Sequence, residues 1–228
     1  MSNNIYVGWD SREDIAYQVC EHSIKRRAQQ NNINVSPLKQ NTLREQKLYW
    51  REQDKLSSTE FTITRFLVPH LNKFAGWAVF CDCDMVWRCN PNELFDQVDD
   101  SKAVMVVKHE YDVAQGTKMD GQAQLPYPRK NWSSMILWNC GHPKNKALDL
   151  QTVNTASPSF LHRFEWLDDT DIGTLNHSWN WLVGWYDVER DGDPKIIHYT
   201  EGGPWFEETR HCEFGHIWKQ ELINLYSS

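Results

Sequence analysis

Apolar and polar positions follow two different rhythms along the first hundred residues. Asn4-Ile5-Tyr6-Val7-Gly8 is a short apolar run that stops at a glycine and gives way to the loop WDSRED. Ile15, Ala16, Val19, Cys20 and Ile24 then recur at helical spacing, and Lys25, Arg26 and Arg27 crowd the last turn, where positive charge suits the carbonyl end of a helix. This pattern predicts a strand, a loop and a helix. Residues 33–38 predict a second strand. Ser57 with Glu60 resembles a capping box opening a helix that carries Phe61, Arg65, Phe66 and Leu71. Residues 76–82 predict a third strand, and Asn90-Pro91-Asn92 turns the chain into a short helix at Glu93-Leu94-Phe95. Further strands are expected at 103–108, 135–138 and 195–199. Strands alternating with helices predict an α/β protein with a parallel, doubly wound sheet, in which ligands gather beyond the carboxyl ends of the strands. A single domain over 1–228 is expected.

The third strand ends in chemistry. Val79 to Trp87 reads VFCDCDMVW, so an apolar run closes on two carboxylates one residue apart. In extended backbone Asp82 and Asp84 point one way and Cys81 and Cys83 the other. Paired anions repel and raise one another's pKa unless a cation lies between them and a ligand. Magnesium and manganese prefer oxygen donors and are commonly held by one or two carboxylates plus substrate phosphates. A third ligand is offered by KIIHYTEGGPWF, where His198 follows two isoleucines at the end of an expected strand. Gly202 and Gly203 just beyond would let backbone N–H groups approach phosphate oxygens. A zinc site built from Cys81, Cys83 and Cys89 ranks lower, because its spacing is not a usual zinc pattern.

Charge and composition narrow the partners. The formal charge is −7 with acids and bases interspersed, which argues against nucleic acid as a partner. The N-terminus lacks the pattern of a secretory leader and no segment has the length of a membrane span, so a soluble, cytoplasmic protein is expected. The six cysteines contain no CxxC pair and read as buried thiols, and the sequons at Asn131 and Asn176 then carry no meaning. Twelve tryptophans, eight of them between Trp132 and Trp218, could serve as packing or as sugar platforms.

DCD after an apolar strand, followed about 115 residues later by His-Tyr-Thr-Glu-Gly-Gly-Pro-Trp, resembles the GT-A fold glycosyltransferases, most closely the glycogenin-type family 8. IYVGWDSRED is similar to that family's first strand and nucleotide loop, TRFLVPHL to its arginine-bearing helix, and KNWSSMILWN to its Asn-x-Gly strand. The resemblance implies a GT-A, Rossmann-like mixed and mostly parallel sheet flanked by helices, with a nucleotide-binding half at 1–100 and an acceptor-binding half at 101–228. It implies transfer of a sugar from a UDP-sugar to a hydroxyl acceptor with retention, assisted by Mn2+ or Mg2+. Asp82, Asp84 and His198 would hold the metal. Gly8, Trp9 and Asp10 would bind base and ribose, Arg65 and Cys83 would join the donor site, and Asn131 would lie near the sugar. The family's phosphate-binding lysine is missing, so Gly202, Gly203 or Lys130 would meet the diphosphate. Its Asp-Gln-Asp acceptor motif is altered to DIGTLN, leaving Asp171, with Asp168 and Asp169 behind it, to orient or deprotonate the acceptor. Trp179, Asn180 and Trp181 are expected to hold the acceptor. The oligomeric state is not readable.

Two alternatives stand beside this one. Asp82-Cys83-Asp84-Met85-Val86 also fits the nucleophile motif of haloacid dehalogenase-type phosphatases, with Asp82 as nucleophile, although about 80 residues precede it. A transferase-like scaffold could also bind nucleotide or carbohydrate without turnover.

Overall fold

A computed structural model describes residues 3–28, 32–52, 59–109 and 129–227. Strands β1 (Asn3–Gly8), β2 (Ile33–Leu38), β3 (Trp77–Cys81), β5 (Val104–Val107), β6 (Met135–Asn139) and β7 (Ile172–Leu175) form a six-stranded sheet in the order β2-β1-β3-β6-β5-β7. Only β6 runs against the others, so the sheet is mixed and mostly parallel. Every residue of β5 and β6 is buried, as expected of strands covered on both faces, and this is why they read as unbroken apolar runs. The carboxyl ends of β1, β3, β5 and β7 share one edge of the sheet with Met135, the first residue of the reversed β6.

A second, three-stranded sheet was not evident in the sequence. It joins β4 (Met85–Trp87), β8 (Trp181–Leu182) and β9 (Ile196–His198) in the order β4-β9-β8. The strand expected at 195–199 therefore belongs here and not to the main sheet. Met85 is in register with His198, and Tyr199 N–H donates to the Asp84 carbonyl at 3.0 Å. All six residues of β4 and β9 are buried. That short apolar ladder carries His198 back beside the acids at the end of β3.

The helix expected to carry Arg65 is broken. Thr64–Leu67 is a 3-10 turn and Val68–Leu71 a single α-helical turn, with Pro69 near its start. Proline has no N–H to return to the carbonyl four residues earlier, so one continuous helix cannot run through it. Ser57 lies outside the described residues. The helix Asp14–Arg27 buries Ala16, Tyr17, Val19, Cys20 and Ile24, and the helix Gly215–Ser227 is fastened to it through the buried Glu221. One core cluster runs from Ile5 to Ile196 and so crosses both halves of the sequence. No described helix is long and apolar enough to cross a membrane.

Candidate active site

At the carboxyl edge of the sheet lies a cleft of about 550 Å³, within the range of small-molecule sites. Asp82, Asp84 and His198 meet there, with one ligand atom from each within 4.8 Å of the others. Asp82 leaves β3 with its N–H on the Ser134 carbonyl at 2.9 Å, and Asp84 is held through the β4–β9 ladder. The pair therefore sits where two sheets join.

Hydrogen bonding fixes the imidazole. Asn180, fully buried, donates from Nδ2 to Ser134 Oγ at 2.9 Å, which turns its Oδ1 toward His198 Nδ1 at 2.8 Å. An amide oxygen only accepts, so Nδ1 carries the proton and Nε2 faces Asp84 Oδ1 at 3.3 Å. Burial disfavours the imidazolium, but the charges of Asp84 and Asp82 outweigh it and raise the His198 pKa.

The acids are under-supplied with donors. Arg65 Nη1 forms an ion pair with Asp82 Oδ1 at 2.9 Å, yet Asp82 Oδ1 and Asp84 Oδ1 are both buried without an aligned hydrogen bond. Burial first, reinforced by Asp84 against the opposing charge of Arg65, pushes the Asp82 carboxyl up to about 7. Glu13 faces the same cleft and is lifted to about 7 by burial and then by Asp84. Two orphaned carboxylate oxygens and an imidazole with its lone pair turned inward form a donor set that fits a hard or borderline divalent cation. Among the described residues this is the one group of three such side chains that could hold a metal.

Arg65 is the fixed cation of the site. Its Nη1 also donates to the Ser133 carbonyl at 2.7 Å and its Nε to the Thr62 carbonyl at 3.1 Å. The guanidinium lies 4.7 Å from the ring centre of Phe80 and 5.3 Å from that of Phe61. Lys130, Asn131 and Gly202 line the cleft, and Asn131 takes a left-handed backbone conformation at φ 61°. Gly202 has φ +102°, a conformation that favours glycine.

Other expected residues lie elsewhere. Gly8 ends β1, and Trp9 and Asp10 follow it at the same edge, but none of the three lines this cleft. Asp10 is fully buried, accepting from Arg12 at 2.9 and 2.7 Å and from Glu60 N–H at 3.1 Å. Gly203 is covered by the Trp205 ring, where a Cβ would come within 1.9 Å. Cys83 lies in the turn between β3 and β4 with its side chain buried in the core, so it offers nothing to a donor. Trp179 and Trp181 are core residues too, so neither offers a face to an acceptor, and Asn180 serves His198 instead. Asp171 precedes β7 and so sits at the opposite end of the sheet, where it caps a 3-10 turn and pairs with Lys144 at 2.6 Å. Asp168 shares that lysine at 2.7 Å, and Asp169 pairs with Arg129 at 2.5 Å. Sequence reasoning missed Glu13, Ser133, His162 and Glu208, all of which line the cleft. The Ser133 for glycine exchange in the Asn-x-Gly pattern was the one available signal among them.

This architecture is that of the GT-A glycosyltransferases. WbbM, a bifunctional glycosyltransferase, superposes with a TM-score of 0.63 at 17% identity, covering 99% of this chain and 51% of that one. GlyE, a glycosyltransferase of Streptococcus pneumoniae TIGR4, gives 0.65 at 12% identity, with 98% and 60% covered. The galactosyltransferase LgtC, solved with donor and acceptor sugar analogues, gives 0.58 at 12% identity, with 97% and 95% covered. The chain thus spans about half to three-fifths of WbbM and GlyE. No protein-family model matches the sequence. Protein CDI of Arabidopsis thaliana is 51% identical over 221 residues, 96% of this chain and 85% of its own length. The chain belongs to the family of Protein CDI.

Proposed function

We propose that this chain is a metal-dependent glycosyltransferase that moves a sugar from a UDP-sugar to a hydroxyl acceptor, in the manner of the glycogenin-type enzymes and with retention. The observation that carries this reading is the Asp82–Asp84–His198 cluster, with two buried carboxylate oxygens left without an aligned hydrogen bond in a GT-A cleft. A diphosphate is anionic, and the cleft also holds Glu13, Glu201 and Glu208. Against these acids the cleft sets Arg65, Arg129 and Lys130, so acids outnumber bases and a divalent cation would help a diphosphate to bind.

Bound Mn2+ or Mg2+ would supply Lewis-acid stabilisation of the charge that develops on the departing nucleoside diphosphate. Asp82 and Asp84 would hold the ion through their oxygens and His198 through Nε2, the nitrogen that Asn180 leaves free of its proton. Arg65, locked between two phenylalanine rings and two carbonyls, would place a fixed positive charge beside the donor. Lys130 would take the part of the absent family lysine, whereas the Gly202 N–H is already given to the Tyr199 carbonyl at 2.9 Å, and Asn131 would lie on the sugar side. Of Gly8, Trp9 and Asp10, only the partly exposed Trp9 would receive the base, because Gly8 is buried under the Phe61 ring and Asp10 is fully buried with its oxygens bonded to Arg12 and Glu60. Asp171 has no place in this scheme, because it lies at the far end of the sheet.

Measuring UDP release from UDP-glucose and UDP-galactose with Mn2+ and with EDTA tests the reading. Metal-dependent release supports it. Nucleotide binding without release in every donor tested would reduce the protein to a carrier, and accumulation of phosphoryl-aspartate mimics at Asp82 would instead restore the phosphatase alternative.

A further inference from the structure

Ser133 and His162 form a polar pair that the scheme above does not use. Ser133 Oγ lies 2.8 Å from His162 Nδ1, and both residues line the cleft. The pair is held from two sides. The Ser133 carbonyl accepts from Arg65 Nη1, which also reaches Asp82, so Ser133 sits one guanidinium away from the candidate metal ligands. The His162 ring meets Phe66 edge-on, with centroids 5.1 Å apart and planes at 84°. Burial, with the charge of Arg65 added, lowers the His162 pKa to about 3, so the imidazole is neutral at any physiological pH.

A neutral imidazole bonded to a hydroxyl has a definite capacity left over. If Ser133 donates to Nδ1, then Nε2 carries the proton and the serine oxygen can still accept. If Nδ1 donates to the serine, the hydroxyl proton is free to donate and Nε2 accepts. Either way the pair offers one donor and one acceptor, and neither Ser133 Oγ nor His162 Nε2 has a second partner among the described residues. That is the complement of an alcohol, which donates once and accepts. It is a poor match for a carboxylate, which only accepts.

We propose that Ser133 and His162 read a hydroxyl of the sugar being transferred and set which neutral sugar this enzyme accepts. The inference rests on the glycosyltransferase reading and goes beyond it, because the resemblance places a glycine where this chain has Ser133. A site built to bond a hydroxyl discriminates strongly against a donor that lacks it or turns it away, since the buried partners are then left unpaired.

The test compares the wild type with Ser133→Gly and with His162→Phe, which keeps the ring packing but removes both nitrogens. Release of UDP from UDP-glucose, UDP-galactose, UDP-xylose and UDP-N-acetylglucosamine gives relative kcat/KM values, and calorimetry with UDP and Mn2+ gives nucleotide affinity. Both variants are expected to bind UDP within about threefold of wild type while the ratio between the best and second-best donors falls at least about tenfold. Ratios within twofold of wild type in both variants would overturn the proposal while leaving the transferase reading intact. A wild type that neither binds nor turns over any of the four would overturn that reading and this one with it.

Discussion

Two buried carboxylate clusters in this molecule are built in opposite ways. Glu221 is only 2% exposed and accepts from His22 Nδ1 at 2.9 Å, Arg26 Nε at 3.0 Å and Arg27 Nη2 at 3.0 Å. One acid thus has three donors, two of them guanidinium groups. Burial works against its charge, but the bonds from Arg26 and Arg27 win, and its pKa falls below the usual carboxylate range. At the cleft, two acids share one arginine and one histidine, and Asp82 is pushed the other way. The first arrangement clamps the C-terminal helix to the helix Asp14–Arg27. The second leaves negative charge uncompensated in the folded protein. The fold saturates Glu221 but leaves Asp82 and Asp84 short of donors where a ligand can enter, the arrangement expected of a binding site.

The comparison can be broken at either cluster. The largest effect is expected from Asp84→Asn, which should cut Mn2+-dependent UDP release from the preferred donor by at least about 100-fold. Glu221→Ala should leave that activity per folded molecule unchanged. It should nevertheless cost about 2 kcal/mol of stability, because it removes the acceptor shared by His22, Arg26 and Arg27, of which only Arg26 is exposed enough to recover its hydration fully. For a chain of this size that lowers Tm by about 4–8 °C, measurable by calorimetry.

The two clusters should also respond to pH with opposite sign. A carboxyl whose folded pKa lies above its unfolded value keeps its proton longer in the native state. Asp82 therefore weakens the metal-free protein as pH rises from about 4 to about 7. Glu221, with its folded pKa depressed, contributes fully above its unfolded value of 4.5 and loses that contribution as pH falls through the folded one. Metal-free Tm should thus decline by a few degrees between pH 5 and 7.5, and Asp84→Asn or saturating Mn2+ should flatten the decline. The smallest effect belongs to Asp171→Asn, which should change turnover by less than about twofold, since its carboxylate pairs with the exposed Lys144 away from the cleft.

Local pattern carried part of this architecture. The strands at β1, β2, β3, β5 and β6 were legible because each is an apolar run bounded by turn residues, and the helix Asp14–Arg27 because its spacing is unambiguous. β4 and β8 are three and two residues long and have no period to detect, although Met85-Val86-Trp87 directly after DCD is an apolar triple with no other evident use. Within the site, Asp82, Asp84 and His198 could be singled out because charge following a buried run is conspicuous. Asn180 reads from the sequence as a residue for the acceptor, the wrong partner, since its bond to His198 depends on how the second sheet folds back and not on any local pattern. Asp171 misled because its position relative to a motif says nothing of strand direction, and β7 begins at Ile172, after it. Ser133 and His162 are 29 positions apart and meet only because the chain folds back between them.

The central claim is that Asp82, Asp84 and His198 bind a divalent cation that in turn holds a nucleoside diphosphate. Isothermal calorimetry of UDP into the protein, first with Mn2+ and then with EDTA, tests it most directly. The expected result is saturable binding with Mn2+ that weakens at least about tenfold with EDTA and is lost with Mn2+ in Asp84→Asn. UDP binding of equal strength in EDTA, or undiminished in that variant, would contradict the account.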